Sequence, residues 1–354
     1  MRTLASPYKI AWHKEKFKDA LAGRNIFPAT VEMDITTACN AGCHNCPSTR
    51  SPEAKNLSME IVDRLFGSLA GETKGLLLSG GEPTQAASFG QTLALARKHG
   101  FEDVTIVTNG SQLDRKQVQT ALLRDASAVR VSLYGWDDGA SETLRAVFAS
   151  IENLRNQIQK DQVSDLQIGV SLLTSQDMVH KLPEIASSVR DCGAHWLYLH
   201  PKCTGWGTGT LGQEEQGDLT AQHEALEGIY NDFQILLCPA RYEKTQLYFD
   251  AYYTSQFLLV VGADGKIYLG TESKYQPHGV VGSIDYDWDT EDLWSESRWK
   301  AINSAKSDSY TAAGGRHRGI LYSDLIQSVI DGKRELEQVL RQAEELELGF
   351  PHVL

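Results

Sequence analysis

Three cysteines that lie close together carry the strongest chemical signal in the sequence. Cys39, Cys43 and Cys46 are spaced C-x3-C-x2-C, and His44 lies between two of them. Thiolates at this spacing reach one metal centre from a single loop, and they suit iron–sulfur clusters and zinc. A structural zinc site favours a second ligand pair, and no second C-x2-C occurs in the chain. The pattern therefore favours a 4Fe–4S cluster with three protein ligands and one open iron, and a structural metal site is the alternative.

Two glycine-containing stretches follow the cysteines. They read Ser79-Gly80-Gly81-Glu82-Pro83-Thr84 and Thr108-Asn109-Gly110-Ser111. Gly80 and Gly81 lack Cβ atoms, so their backbone can approach a ligand closely and adopt positive φ. Ser79 offers a hydroxyl and Glu82 a carboxylate near an ammonium group at the same place. Taken alone, the first stretch is more often an ordinary turn, and the second is as typical of a tight turn after a strand as of a ligand site.

The cysteines and the two stretches, in this order and at these distances, resemble the radical S-adenosylmethionine (SAM) superfamily. In that family the cysteine motif follows the first barrel strand, a "GGEP" element the second, and a further element the third. The resemblance implies that the three cysteines bind one 4Fe–4S cluster and that SAM chelates its fourth iron. Reduction then cleaves SAM to a 5′-deoxyadenosyl radical, which abstracts a substrate hydrogen. Asn45 departs from the aromatic residue that often precedes the third cysteine, a difference that bears on adenine packing.

The resemblance also implies which residues contact SAM and what supplies electrons. The expected SAM contacts in the two stretches are Ser79, Gly80, Gly81, Glu82 and Asn109. A reductase, flavodoxin or ferredoxin is the expected electron donor.

Composition and charge narrow the location and the partners. The chain has 354 residues and a formal net charge of −12. It contains no apolar run of about 18 residues, the length that predicts a membrane span, and its start lacks the apolar core of a secretory signal. We therefore expect a cytoplasmic protein with reduced thiols and no membrane partner. The acidity disfavours a nucleic-acid substrate, and it is also typical of soluble proteins in general.

Strands and helices alternate from about residue 29, which predicts parallel βα units. The predicted strands cover 30–35, 75–79, 103–107, 128–133, 166–172 and 196–200. Six such units match the partial (β/α)6 barrel that the resemblance implies, over residues 29–205. Residues 1–28 form an N-terminal segment with an amphipathic helix over 8–22. This leaves no room for the leader-binding winged helix of many peptide-modifying radical SAM enzymes.

Residues 206–354 are predicted to form a smaller α+β extension. We expect a helix over 218–236, a hairpin that turns at Asp264-Gly265, and helices over 321–346 that Gly332 breaks. The hairpin resembles a degenerate SPASM or twitch extension. In those extensions a cysteine that ligates an auxiliary cluster follows the second strand, but here the residue is Gly270. The extension is therefore expected to lack cluster cysteines.

Further candidate residues lie at the carboxyl ends of the later strands, where ligands of α/β proteins collect. Ser132 and Ser171 are expected to bind the SAM carboxylate or ribose, or else to be ordinary polar residues under a loop. His200 and Lys202 leave the sixth strand and are candidate substrate contacts. Cys203 is either a hydrogen-atom donor to a product radical or a buried inert thiol.

Arg316 and His317 concentrate positive charge in an acidic chain. They either bind a carboxylate or phosphate of the substrate or form a solvated surface.

The sequence therefore predicts a radical SAM enzyme with one 4Fe–4S cluster. Without an auxiliary cluster, we expect redox-neutral dehydration, decarboxylation, epimerisation or rearrangement. The expected substrate is a small molecule, namely a sugar, aminoglycoside or nucleoside in natural-product biosynthesis. Peptide modification is the alternative within enzymes, and a non-catalytic iron–sulfur or zinc protein is the alternative of another class.

Overall fold

The structure is a computed structural model that describes most of the chain. The described residues are 2–3, 6–43, 46, 48, 51, 53–133, 136, 141–163, 165–201, 211–242, 248–284, 287–307 and 317–354. Among them, no helix combines the length and apolar character that crossing a membrane requires.

The N-terminal segment contains two short helices where the sequence predicts one. A short strand β1 (Arg2–Thr3) comes first, followed by a 3-10 helix (Pro7–Trp12) and then α1 (Lys14–Leu21). His13 separates the two helices with φ −79° and ψ 62°, values outside the helical region. The apolar side predicted for this segment is nevertheless buried, since Ile10 and Phe17 are fully inaccessible.

Six βα units follow, as predicted, and their observed bounds differ from the predicted ones by a few residues. They are β2 (Thr30–Asp34), α2 (Met59–Ser68), β3 (Gly75–Ser79), α3 (Phe89–Lys98), β4 (Asp103–Thr108), α4 (Lys116–Asp125), β5 (Ala128–Leu133), α5 (Glu142–Lys160), β6 (Gln167–Thr174), α6 (Gln176–Val179), α7 (Leu182–Asp191) and β7 (Trp196–Pro201). Ser58 begins α2 as expected, because its hydroxyl accepts a hydrogen bond from Ile61 N.

The C-terminal third differs from its prediction in one place. Its elements are α8 (Gln213–Leu226), β8 (Gln234–Leu236), α9 (Thr254–Phe257), β9 (Leu258–Val261), β10 (Lys266–Tyr268), β11 (Val280–Ser283), α10 (Glu296–Ser304), α11 (His317–Ile330), α12 (Leu336–Glu344) and β12 (Glu347–Leu348). The helix predicted over 218–236 is wrong at its end, because Gln234–Leu236 pairs with β7 as a strand. The hairpin turn at Asp264-Gly265 and the helix break at Gly332 are confirmed, and both glycines have positive φ.

Further 3-10 helices lie at Pro83–Gln85, Pro239–Arg241, Thr271–Ser273, Pro277–Gly279 and Thr290–Trp294. Two of them belong to the candidate site described below.

One ten-stranded sheet organises the molecule. Its order is β11-β10-β9-β2-β3-β4-β5-β6-β7-β8, parallel from β9 to β8 and antiparallel at β10 and β11. Strands β2 to β7 with their helices form the partial (β/α)6 barrel that the sequence predicts. Strands from beyond residue 205 continue the same sheet on both sides, and α11 packs across the N-terminal segment. The barrel and the extension thus share one sheet.

Side-chain alternation along the strands gives the sheet two different faces. On β2, Val31 and Met33 pack in the core that contains the helices, so Glu32 and Asp34 face the other way, into the interior of the curved sheet. We call this interior the lumen. The polar residues of the first strand therefore point to where a barrel protein binds its ligands.

The chain covers the amino ends of the strands. Phe350 and Val353 pack on inward-facing residues of β3 and β5, and the Thr30 hydroxyl donates to His352 O at 2.5 Å. Lys9 reaches the same end and is 1% exposed. Burial lowers the pKa of Lys9 to about 7, despite the nearby Asp103 carboxylate.

Candidate active site

The cysteine loop follows β2 at the carboxyl end of the sheet. Cys39 is exposed, while Cys43 and Cys46 are half-buried. Ala41 N donates to the Cys39 thiol at 3.3 Å, and Cys46 N donates to Cys43 O at 3.4 Å. Burial raises the pKa of the Cys43 thiol, and repulsion from the neighbouring Cys46 and Cys39 thiolates raises this pKa further. A cationic centre would relieve that repulsion, so the donor set suits thiolate coordination to iron.

The same three thiols do not converge on a single point. The described residues include no group of three or more His, Cys, Asp or Glu side chains arranged to hold one metal ion. A mononuclear zinc site needs all its ligands around one ion at about 2.0–2.3 Å, whereas the cysteines of a 4Fe–4S cluster bind separate irons.

The glycine pair is required by contact with the cysteine loop. Gly81 N donates to Thr36 O and Glu82 N donates to Ala38 O, both at 2.8 Å. A Cβ atom on Gly81 would lie 2.2 Å from Ala38 O, and one on Gly80, whose φ is +130°, would lie 2.4 Å from Thr36 O. The close approach of the glycine backbone is therefore to the cysteine loop, and it joins the two loops to each other, while its approach to a ligand stays a prediction.

Glu82 has no exposed surface, and both of its carboxylate oxygens are engaged by the chain. Oε1 accepts from Thr84 N at 3.1 Å, from Thr84 Oγ1 at 2.6 Å and from Thr108 Oγ1 at 2.7 Å. Oε2 accepts from Asn109 N at 2.7 Å. These hydrogen bonds connect the loop after β3 to the end of β4. The Glu82 carboxylate therefore holds the two loops in position relative to each other.

Asn109 brings the third loop to the cysteines. Its Nδ2 donates to Asn40 Oδ1 at 2.8 Å and lies 3.9 Å from the Cys39 sulfur. Its Oδ1 accepts from Ser111 N at 3.0 Å, and Asn40 Nδ2 donates to Ser111 Oγ at 2.9 Å. The three stretches singled out in the sequence therefore form one hydrogen-bonded unit at the carboxyl ends of β2, β3 and β4.

Ser79 instead faces the lumen, where a network of five buried or half-buried residues surrounds it. Its hydroxyl donates to Asp34 Oδ1 at 2.7 Å. Lys274 Nζ donates to Asp34 Oδ1 at 2.7 Å, to Glu32 Oε1 at 3.2 Å and to the Ser79 hydroxyl at 3.3 Å. Tyr275 donates to Asp34 Oδ2 at 2.8 Å from a backbone with φ +62°, a strained conformation for a non-glycine residue. We call these five residues the lumen network.

Sequence reasoning missed most of the lumen network. Glu32 and Asp34 did leave a signal, since they alternate with apolar residues in a strand that is otherwise buried. Lys274 left none, because its place depends on how the extension folds back over β2.

A second polar group lies at the carboxyl ends of β6, β7 and β8. Ser171 pairs in register with Ser132 on one side and with Tyr198 on the other. Arg241 Nη1 donates to Tyr198 Oη and to His200 Nδ1, both at 2.8 Å. The structure thus brings the predicted Ser171 and His200 close to a buried arginine that sequence reasoning missed. Its place after a Cys-Pro pair gave no chemical signal.

Several predicted site residues lie outside the part of the chain that the structure describes. Lys202, Cys203 and Arg316 are not among the described residues, and His317 begins α11 with its side chain undescribed. Their predicted roles stay predictions. Cys192 and Cys238 are both buried.

The fold and the site together define the class of protein. Residues 33–182 match the family profile described as the radical SAM superfamily. This part of the chain is therefore a radical SAM domain, the domain of a superfamily of enzymes. The family implies a 4Fe–4S cluster and SAM.

The matches to individual curated proteins cover only part of the length of those proteins. The chain is 25% identical over 231 residues to dTDP-4-amino-4,6-dideoxy-D-glucose ammonia-lyase of Streptomyces venezuelae, covering 60% of this chain and 47% of that protein. It is 26% identical over 178 residues to a probable GTP 3′,8-cyclase of Methanococcus maripaludis, covering 49% and 58%. The chain thus spans about half the length of the curated relatives it matches.

Solved structures resemble it in fold. Streptococcus suis SuiB bound to S-adenosylmethionine superposes with a TM-score of 0.61 at 15% identity, covering 82% of this chain and 72% of that one. The same protein bound to precursor peptide SuiA gives 0.62 at 13% identity, covering 91% and 76%. These likenesses extend past the matched domain into the C-terminal third.

Proposed function

We propose that the chain binds a 4Fe–4S cluster through Cys39, Cys43 and Cys46 and uses SAM to act on a small-molecule substrate. The observation that best supports this proposal is the hydrogen-bonded unit of three loops. In it the cysteine loop contacts both the glycine pair and Asn109. When bound, the cluster and SAM supply a 5′-deoxyadenosyl radical that removes a hydrogen atom from a C–H bond. The electron comes from a reductase, flavodoxin or ferredoxin.

The chain's own residues would place the cofactors and keep them in position. Gly80 and Gly81 let the cysteine loop lie against β3, and Glu82 fixes both neighbouring loops through its buried carboxylate. Asn109 donates near the sulfur of Cys39, a contact of the kind that tunes cluster potentials. We assign Glu82 a positioning role, while the backbone of the glycine pair remains the proposed SAM contact.

A sugar or nucleotide-linked substrate is the proposed class. The first relative named above acts, by its name, on a nucleotide-linked amino sugar and is a lyase, and the second acts on GTP. Both names support a small molecule, and a lyase supports a redox-neutral elimination among the expected outcomes. Peptide modification remains the second candidate, since a protein of the same fold has been seen with a precursor peptide.

Anaerobic reconstitution with iron and sulfide tests the first part. We expect the reduced cluster to give an electron paramagnetic resonance signal that SAM perturbs, and dithionite to release 5′-deoxyadenosine. Cys39→Ser should abolish both, and Cys192→Ala is the matched control, because Cys192 is buried in the helical core. Protein that takes up zinc but no iron would contradict the proposal.

Deuterium transfer tests the substrate class. Deuterated nucleotide-linked amino sugars should pass their label into 5′-deoxyadenosine, and unmodified peptides should not. Label transfer from a peptide alone would favour the second candidate.

A further inference from the structure

Arg241 is a buried cation that lacks an acidic partner among the described residues. It is 7% exposed and lies in the 3-10 helix that follows β8. Its hydrogen-bond acceptors are a phenol, Tyr198, and an imidazole, His200, and neither is a carboxylate. Its guanidinium carbon also lies 5.9 Å from the centre of the Tyr198 ring. Within the described chain, the Nε of Arg241 has no hydrogen-bond partner.

Such an arrangement is costly unless something completes it. Arginine keeps its charge in proteins, and a buried charge without a counterion destabilises the fold. Arg298 is a useful contrast, because it is 5% exposed and also lacks a described carboxylate partner. Its Nε also has no partner among the described residues, but both of its terminal nitrogens donate to carbonyl oxygens, those of Leu293 and Ser255. Arg298 holds chain segments together, whereas Arg241 contacts side chains that face the lumen.

A second unsatisfied donor lies on β6, the strand next to the β7 residues that Arg241 contacts. Ser171 is 8% exposed, and no described residue hydrogen-bonds its Oγ. It is the register partner of Tyr198, whose hydroxyl accepts from Arg241, so the serine and the arginine face the lumen from neighbouring strands. Ser171 is the fifth of the eight residues of β6, and Arg241 lies in the 3-10 helix beyond the carboxyl end of β8, the end of a parallel sheet at which ligands bind. In the sheet order β7 is five strands from β2, which the cysteine loop follows.

We propose that Arg241 and Ser171 form a subsite for an oxyanion group of the substrate, a phosphate or a carboxylate. This deepens the proposed function, on which it rests, by giving the small molecule an anionic handle. The planar guanidinium matches the paired oxygens of such groups, and the serine hydroxyl donates a further hydrogen bond. The subsite holds the non-reacting end of the substrate, while the cysteine loop serves the reacting end.

Isothermal titration of the anaerobically reconstituted protein with three probes tests this directly. The probes are pyrophosphate, dTDP and malonate, so that phosphate and carboxylate sources are distinguished. We expect one class to bind, Arg241→Met to weaken it by about tenfold or more, and Ser171→Ala to weaken it by a few fold. SAM affinity, measured in the same way, should not change in Arg241→Met, and a loss of SAM affinity in Ser171→Ala would instead assign that serine to the SAM contact expected from the sequence. Arg190→Met is the control, because Arg190 is an arginine paired with Asp232 on the surface.

Melting temperatures distinguish a binding role from a structural role, because substitution of a structural arginine would lower the melting temperature. Removal of an uncompensated charge should leave the melting temperature of Arg241→Met unchanged or higher, and Arg241→Lys should bind the probe with intermediate affinity. The subsite is wrong if the wild type binds none of the probes, if Arg241→Met binds them normally, or if SAM affinity falls instead. If Arg241→Met unfolds, a normal probe affinity in Arg241→Lys and Ser171→Ala overturns it. None of these measurements requires SAM cleavage. A failure of the proposed subsite can therefore be distinguished from a failure of the proposed radical reaction.

Discussion

Thr30 and Ser171 are both buried hydroxyls that face the lumen, Thr30 at the amino end of β2 and Ser171 in the carboxyl half of β6. The Thr30 hydroxyl donates to His352 O and accepts from Leu354 N at 3.0 Å. The Ser171 hydroxyl has no hydrogen-bond partner among the described residues. The chain thus satisfies the hydroxyl of Thr30 itself and leaves that of Ser171 open, although Trp196 Nε1, at the amino end of β7, also has no partner among the described residues. In barrel enzymes the first end serves stability and the second serves the ligand.

The lumen network extends from the middle of β2 to the carboxyl ends of β2 and β3, and breaking it should give the largest effect. Lys274→Met leaves the buried Asp34 carboxylate without that cation, while Glu32 keeps Arg318 at 3.0 Å, and the loss costs about 3–5 kcal/mol of unfolding free energy. Urea denaturation measures it. Lys333→Met is the control, since the Lys333–Asp331 pair is exposed and should matter little.

Equal midpoints for the wild type and Lys274→Met would show that the network is not a stability element. If iron content fell while stability held, the network would belong with the carboxyl end.

Lys9 offers a pH test of the amino end. Its pKa of about 7 is below the ordinary 10.5, mainly through burial, with Arg318 and Arg130 adding to the decrease and Asp103 opposing it. Between these values the unfolded chain binds a proton that the folded chain has released, so stability rises with pH. The rise is up to about 4 kcal/mol. Lys9→Met should lose that rise between pH 7 and 10, as measured by urea midpoints.

The comparison between wild type and variant isolates Lys9 from other groups that titrate in the same range. Parallel pH profiles of the two proteins would mean that Lys9 is charged and paired in the folded state.

A substitution at Glu82 tests whether some polar groups at the carboxyl end of the sheet serve the stability of the fold. In Glu82→Gln, the amide NH₂ must face either the backbone N–H of Asn109 or the three donors of Thr84 and Thr108, so at least one backbone contact becomes donor to donor. We expect a loss of about 1.5–3 kcal/mol, together with reduced iron content after reconstitution. Glu60→Gln, an exposed change on α2, is the control. Full iron content in Glu82→Gln would separate this carboxylate from the cluster.

Asn109 should give the smallest change in stability and still affect the cluster. Asn109→Ala removes exposed hydrogen bonds to Asn40 and Ser111, which are worth about 0.5–1.5 kcal/mol. Loss of the Nδ2 contact to Cys39 should shift the reduction potential of the cluster. Ser111→Ala keeps that contact and serves as the control. Identical potentials in both variants would rule out a role for the amide.

Much of the barrel could be predicted from sequence because its signals are local. Alternating apolar strands and capped helices gave the six units, and the cysteine, glycine and asparagine stretches gave the loops that meet at one end. The end of the helix over 218–236 failed because Gln234–Leu236 is a short apolar run, for which helix and strand cannot be separated by periodicity.

The remaining site residues could not be predicted because non-local contacts determine their roles. Glu82 looks like a ligand in sequence, yet Thr108 and Asn109, from the next unit, already occupy its carboxylate. Lys274 and Arg241 reach the lumen only through the path of the extension. The local sequence around a charged loop residue does not indicate whether, or against which strands, its side chain will be buried.

The pairing of β9 with β2 has a consequence for biosynthesis. Thr30 pairs with Leu258, so the first barrel strand keeps an open edge until the ribosome has made the extension. At about 5–20 residues per second, that interval is roughly 10–45 s. During it, the nascent chain displays an unpaired strand that carries two carboxylates without Lys274, while the cysteine, glycine and asparagine loops can already meet. Cluster delivery to the ribosome-bound chain would then precede closure of the sheet, and a chaperone would have most to protect at β2.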